Sequence, residues 1–338
     1  MRDRALLHVH DALVVIAGGV APLGGLPARP ALAPWCRVVE DGRRVLLEHG
    51  GTVVTLEGRA ATALVPRLLP LLDGSRTADE VLDTLGPAAR PGVQNALSIL
   101  AEQGLLTEGP LARSDGGVEV DAATYVVSIT GRSTQALACE RLASAHVAIV
   151  GSAPAAAELR RLLRRSGVGH VERCPADRVP ASHTLVVGAP SRAEVATLDE
   201  LNDLALARRQ AWLQVLPYDG RFVVAGPLYL PHVSACRTCW RTRRAACSGF
   251  EDDFGLVDGA PSHAPAPAPL AALGAALAAT LVLRWLATAD PALPGRFYAL
   301  EARWVATLRF DHVLRVPRCT ACGPAPRAVP SPWFESAR

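Results

Sequence analysis

The sequence predicts an α/β protein in two parts. A small N-terminal unit of three strands followed by three helices precedes an open parallel-sheet half, which carries a four-cysteine metal site. Three observations lead there. Hydrophobic period two over residues 35–56 gives way to period 3.6 over residues 60–103. From residue 146 onward, apolar strand-like runs alternate with helical ones. Two Cys-x-x-Cys tetrads, Cys236-Arg237-Thr238-Cys239 and Cys319-Thr320-Ala321-Cys322, close the picture.

Composition bounds the function. The 338 residues suit two or three domains, and half of them are apolar. The formal net charge of +3 argues neither for nor against nucleic acid. The chain has no lysine; all 35 basic residues are arginine. That excludes a Walker-type phosphate loop and Schiff-base chemistry, both of which need lysine. No stretch is expected to reach the length of a membrane span. Met1 to Leu7 could mimic the start of a signal peptide, but His8, His10 and Asp11 interrupt the apolar run and no cleavage site follows. The protein is therefore read as cytoplasmic, with reduced thiols and no membrane partner. His8 and His10 have metal-ligand spacing, but a lone pair near a terminus reads as surface decoration.

In chain order, residues 1–34 offer one short strand candidate, Val14-Val15-Ile16. Cys36 to Val39 and Arg43 to Glu48 read as a hairpin around Asp41-Gly42, and Gly50-Gly51 turns the chain into a third strand from Thr52 to Leu56. Ala60, Leu64, Leu68 and Leu71 make a helical stripe. Thr77 and Glu80 form a capping box for a second helix, and Pro91 opens a third that Gly104 stops. Three strands and three helices in this order make a winged-helix-like unit, which serves either DNA or a peptide. The third helix has no basic residue and Glu102 as its only charge. A DNA-reading helix needs cations for the phosphates, so no nucleic acid is expected. Peptide capture needs an open strand edge, and the third strand supplies one if it lies at the edge of the sheet.

The run from Cys36 to Leu106 resembles PqqD and the RiPP recognition elements that share its fold. The segments carrying the resemblance are the Asp41-Gly42 hairpin, Thr55-Leu56-Glu57-Gly58-Arg59-Ala60-Ala61, Leu72-Asp73-Gly74-Ser75-Arg76-Thr77 and Ala101-Glu102-Gln103-Gly104-Leu105-Leu106. The resemblance implies that residues 1–110 bind the leader of a ribosomally made precursor peptide. By position it implies contacts from Thr52, Val53, Val54, Thr55 and Leu56 and from Val93, Leu97 and Leu100. Strand alternation leaves the alternative that several of these are core.

Residues 111–145 read as a linker, with one strand from Tyr125 to Ile129. Beyond it, His146 to Val150, Gly151, a helix through Leu163 and a strand near Val171 make a Rossmann-like βαβ opening. Strands at 184–187 and 211–215 flank a helix at 195–208. The glycine fingerprint is broken: Gly151 is followed by Ala153 and Ala156 where glycines belong, and Pro154 lacks a backbone donor. Arg173 stands where an acidic residue would hold a ribose. The physical reading is a nucleotide fold without a nucleotide, with ATP not expected and changes at Gly151 tolerated. Gly249 to Pro269, with Asp252, Asp253 and His263, reads as a Pro/Ala-rich loop, Leu270 to Ala287 as a core helix, and Phe297 to Arg315 as two strands. Cys247 reads as inert packing rather than a nucleophile. The arginines at 237, 241, 243 and 244 read as one solvated helix face or a patch for an acidic partner.

Each tetrad lets one tight turn aim two thiols at one point. Four thiolates from two turns make a closed tetrahedral site for structural zinc, held by Cys236, Cys239, Cys319 and Cys322. The alternatives are a pair of disulfides or four unrelated core thiols. From His146 to the end the chain resembles the ThiF family of ubiquitin-activating-like adenylating enzymes, most strongly over Val224-Ala225-Gly226-Pro227, Cys236-Arg237-Thr238-Cys239-Trp240 and Val316 to Gly323. The residues by which active members of that family hold ATP have no match here. The two halves together resemble the ThiF-like "F proteins" of azole-forming peptide pathways. That resemblance implies a non-catalytic scaffold that presents a precursor peptide to a YcaO cyclodehydratase, and a homodimer as a family expectation. Two alternatives stay open: an ATP-dependent enzyme adenylating a peptide carboxylate, and a zinc-containing winged-helix regulator.

Overall fold

The structure is a computed structural model describing residues 4–9, 12–17, 25–111, 118–260, 264–302 and 307–323. The chain divides into two compact units, Met1–Ala143 with Leu286–Asp290, and Ser144–Trp285 with Pro291–Arg338.

The first unit contains β1 (Arg4–Val9), β2 (Ala12–Ala17), β3 (Pro30–Leu32), β4 (Arg37–Glu40), β5 (Arg44–His49), β6 (Thr52–Glu57), α1 (Arg59–Leu68), α2 (Ala78–Leu85), α3 (Arg90–Glu102), β7 (Leu106–Glu108), α4 (Val118–Thr130) and α5 (Gln135–Ser144). Local chemistry sets these elements. Asp41 Oδ1 accepts from the N–H groups of Arg43 and Arg44, both at 3.0 Å, and closes the β4–β5 turn. The capping box forms as expected: Thr77 Oγ1 accepts from Glu80 N at 3.2 Å, and Glu80 Oε2 accepts from Thr77 N at 2.7 Å. Val45, Leu47, Val54 and Leu56 of the sheet pack with Val65, Leu68, Val93, Leu97 and Leu100 of the helices in one buried cluster. Burying each of the larger side chains contributes about 2 kcal/mol.

Strand order in the main sheet is β1-β2-β6-β5-β4, antiparallel throughout. The third strand of the winged-helix pattern, β6, therefore does not lie at an edge. β5 pairs with one side of it and β2 with the other, with Leu13 opposite Glu57 and Ala17 opposite Val53. The Val14–Ile16 candidate was legible as a strand, but its partner was not, because pairing is set by contacts distant in sequence.

A further reading is corrected. The linker strand at Tyr125–Ile129 is the second half of a helix, α4, followed by α5. Ala123, Val126 and Val127 are fully buried at helical spacing. The short apolar run fitted either period, and packing decided it. Ser114-Asp115-Gly116-Gly117 lies outside the described residues.

The second unit contains β8 (His146–Val150), α6 (Pro154–Arg165), β9 (His170–Arg173), β10 (Leu185–Gly188), α7 (Thr197–Arg208), β11 (Trp212–Leu216), β12 (Phe222–Tyr229), α8 (Arg237–Ala246), α9 (Glu251–Gly259), α10 (Ala268–Thr288), β13 (Arg296–Glu301) and β14 (Thr307–His312). They build a seven-stranded sheet ordered β14-β13-β12-β11-β10-β8-β9. The four strands from β9 to β11 are parallel. β12, β13 and β14 extend the sheet antiparallel, so it is mixed rather than purely parallel. β8 lies between β9 and β10, which makes the carboxyl ends of β8 and β10 a topological switch point.

Part of the expected loop 249–269 is α9, whose first turn holds Glu251, Asp252 and Asp253. Carboxylates there complement the positive end of the helix dipole. His263 is outside the described residues. α10 is 21 residues long and apolar enough to cross a membrane by length and composition, contrary to the sequence expectation, and half of its most apolar window is buried inside the protein.

Candidate metal centre and switch-point crevice

Cys236 is the N-cap residue of α8, so Cys239 follows within the first turn of that helix. Cys319 and Cys322 arrive on the tight turn beyond β14, where Gly323 N donates to Cys319 O at 2.8 Å. Any side chain at Gly323 would bring a Cβ to 2.4 Å from that carbonyl. The four sulfurs lie within 4.8 Å of one another, and all four cysteines are buried. Individual Sγ···Sγ separations are 3.8 Å for Cys236–Cys239, 3.7 Å for Cys236–Cys319 and 3.6 Å for Cys239–Cys322. A tetrahedron with Zn–S of about 2.3 Å has edges of about 3.8 Å, so the quartet fits zinc. A disulfide needs about 2.05 Å, which none of these pairs approaches.

Val316 N reaches Cys239 Sγ at 3.3 Å. Arg315 clamps the second turn by donating to Cys322 O at 2.7 Å and to His232 O at 3.0 Å. Burial pushes the Cys236 thiol up. In Cys319 burial acts the same way, but hydrogen bonds from the backbone N–H groups of Cys322 and Ala321 and from the side chains of Cys239 and Cys236 together bring the thiol down to about 7. With metal bound, all four act as thiolates, no ligand position stays open, and the centre fastens α8 to the segment after β14.

The arginine cluster is only partly a solvated face: Arg243 is exposed, Arg241 and Arg244 are half-buried, and Arg237 is buried. Arg237 is 1% exposed. Its Nε donates to Asp199 Oδ1 at 2.8 Å, its Nη1 to Gln214 Oε1 at 3.1 Å, and its backbone N–H to Asn202 Oδ1 at 3.0 Å. Arg241 bridges Asp199 and Asp258. Arg244 pairs with Asp258 and lies over the ring of Trp240. Arg243 donates to the carbonyls of Leu314 and Arg315. These guanidiniums brace the metal centre from within the unit. Sequence reasoning missed Asp199, Asn202 and Gln214. The available signals were the i, i+3 spacing of Asp199 and Asn202 on α7 and the single polar residue in the buried strand Trp212–Leu216. Arg237→Met is expected to cost about 3 kcal/mol, because it strands Gln214 and half-buried Asp199. Denaturant melts of zinc-loaded protein measure this.

At the switch point, the loop after β8 meets the loop after β10. Glu194 Oε2 accepts from Ser152 N at 3.2 Å, Ser152 Oγ at 2.8 Å, Ser191 N at 3.1 Å and Ser191 Oγ at 3.0 Å. The Ser191 backbone bond, foremost, and those from Ser152 hold its carboxyl below the usual range against partial burial. A folded-state pKa below the unfolded one adds stability at higher pH, which is lost as pH falls through the folded value. The second unit should therefore weaken below about pH 4.5. Glu194→Gln should flatten that slope in pH-dependent melts.

Gly151 has φ +130, and a Cβ there would lie 2.1 Å from Ala189 O. The expected tolerance at Gly151 is thus corrected: the position requires glycine for the close approach of two backbones, whatever the loop binds. Ala153 and Ala156 are buried. Arg173 donates to Gly151 O at 3.0 Å across the same loop.

Among the peptide-contact expectations, Thr52, Val54, Leu56, Val93, Leu97 and Leu100 are buried and belong to the packed interior of the first unit. Val53 and Thr55 are half-buried on the other face of β6. Cys247, expected as inert packing, is exposed at the end of α8.

No protein-family model matches the sequence, and no curated protein matches it. Solved structures do share its fold. The heterocyclase TruD is 22% identical with a TM-score of 0.60, over 88% of this chain and 43% of that one. The microcin C7 biosynthetic enzyme MccB in complex with N-formylated MccA is 15% identical with a TM-score of 0.64, over 87% of this chain and 99% of that one. E. coli MccB with AMPCPP and MccA gives 15%, 0.63, 87% and 99%. The chain spans less than half the length of the heterocyclase. The chain therefore shares the α/β fold of MccB and of part of TruD. The AMPCPP complex leaves the expectation of no ATP without support from the comparison.

Proposed function

We propose that this chain is a non-catalytic scaffold of ribosomal-peptide natural product biosynthesis. It binds the leader of a precursor peptide and presents the core to a partner YcaO cyclodehydratase, which closes Cys, Ser or Thr into azolines. The observation carrying this reading is the side of β6 turned away from β5, which is not open: β2 of the same chain occupies it as an antiparallel strand, so a leader would have to take the place of β2. An edge that takes one extended segment has the hydrogen-bonding groups to take another. The buried side chains of Val54, Leu56, Val93, Leu97 and Leu100 then hold β6 rigid, and recognition runs through its backbone with Val53 and Thr55. The closed metal centre and the carboxylate-filled crevice support a scaffold role for the second unit. Tethering the leader raises the concentration of the core at the partner's active site without any catalytic residue here.

The test is calorimetry of the zinc-loaded full chain with the leader of the precursor encoded beside it. A dissociation constant of about 1 μM or tighter is expected. No binding sinks the proposal.

A second reading, ATP-dependent adenylation of a peptide carboxylate, is favoured by the fold shared with MccB, which is solved with AMPCPP and MccA. Against it stands Glu194, whose carboxylate occupies the donors of Ser152 and Ser191 where a phosphate would sit. ATP calorimetry and pyrophosphate exchange separate the two: exchange dependent on the precursor establishes adenylation.

A further inference from the structure

The parallel strands of the second unit bring three histidines together at their amino ends, opposite the switch-point crevice. His146 opens β8 and His170 opens β9, and the two are direct register partners. His183 precedes β10, where Thr184 N donates to His146 O at 2.8 Å. Glu172 stands two residues along β9 from His170, on the same face of the strand. The ring centroids of His146 and His170 are 5.2 Å apart, and those of His146 and His183 are 6.3 Å apart. Two imidazoles sharing one tetrahedral metal, each with M–N of about 2.1 Å, have centroids about 5.2 Å apart.

His183 shows what the cluster lacks. Its side chain is 4% exposed. Its Nδ1 faces Pro180 O at 3.3 Å. Its buried Nε2 has no hydrogen-bond partner, although Glu172 Oε1 lies 2.9 Å away, because the carboxylate approaches off the ring's N–H direction. A backbone carbonyl on Nδ1 orients a metal-binding imidazole and fixes its tautomer, leaving Nε2 free beside, and not pointed at, the Glu172 carboxylate. The other oxygen, Glu172 Oε2, lies 3.7 Å from His170 Nε2. One carboxylate thus touches two histidines, and the third histidine flanks both.

We propose that His183 Nε2, Glu172 and His170 Nε2, with His146 completing the set, form a second metal site for a first-row divalent cation of the zinc type. Nitrogen and carboxylate donors suit Zn²⁺, Co²⁺ or Ni²⁺, in contrast to the all-thiolate centre. His146 is exposed and His170 is half-exposed, so both rings can rotate inward to close the coordination sphere. The site clips the starts of β8, β9 and β10 together, and its exposure makes the metal exchangeable while the buried thiolate zinc is not.

The experiment uses the full chain with any affinity tag removed and one zinc per chain already bound. Calorimetric titration with Zn²⁺ is expected to show one additional equivalent. His170→Ala and Glu172→Gln, both at solvent-facing positions, are each expected to weaken that event about tenfold or more while the first zinc stays at one per chain. Uptake that stops at one zinc per chain overturns the proposal. So does a second equivalent whose affinity is unchanged in both variants.

Discussion

Cys236→Ser is expected to abolish zinc retention and to unfold or aggregate the second unit. Elemental analysis of the gel-filtered variant should show no zinc, against one tightly held zinc per chain in the parent. The magnitude follows from what the site joins. Apparent zinc-binding free energies at closed thiolate sites are about 10–16 kcal/mol, while a whole domain has only about 5–15 kcal/mol of net stability. A stable second unit in zinc-free Cys236→Ser would show that packing around Arg237 and Trp240 suffices. The first unit has its own core and should keep its helical signal.

The second large effect concerns the N-terminal hairpin. If the leader adds to β6, it must displace β2. Removing residues 1–18 eliminates that internal competitor, and the apparent affinity should rise by the inverse of the fraction of molecules whose edge is open. About tenfold tightening is expected in leader calorimetry, with a faster association rate. Val39→Arg, at the exposed opposite edge on β4, should leave affinity unchanged. Unchanged or weaker binding after the deletion would place the peptide elsewhere and remove the strand-exchange model.

Much of the fold was legible because local rules agree with one another in this chain. The Thr77–Glu80 box, the Asp41-Gly42 turn and the stripe through Val93, Leu97 and Leu100 each have one good local solution, and the protein adopts it. Legibility failed where local signals were degenerate. Val126 and Val127 satisfy a strand or a buried helix equally well, and the acidic start of α9 was hidden in a Pro- and Ala-rich context. The site shows the same division. The metal ligands were readable from two tetrads, because thiol spacing is a local property. The residues that brace the second unit were not: Asp199 and Gln214 gain meaning only from a partner 38 and 23 positions away, and Glu194, a local capping-box partner of Ser191, also binds Ser152 from 42 positions away.

The sequence by itself determined which chemistry was available: thiolates paired for zinc, no lysine, a nucleotide-type loop with two of its glycines gone, and two units of different periodicity. Tertiary structure alone decided which groups face which. It set β2 against β6, drew Arg237 out of an apparent basic surface into a buried brace, and placed the carboxylate of Glu194 between the loops after β8 and β10. It also gathered His146, His170, His183 and Glu172 at one end of the sheet. The physical reason is common to all four. Strand neighbours and buried charge pairs are selected by long-range packing, through backbone hydrogen bonds and desolvation that no window of sequence contains.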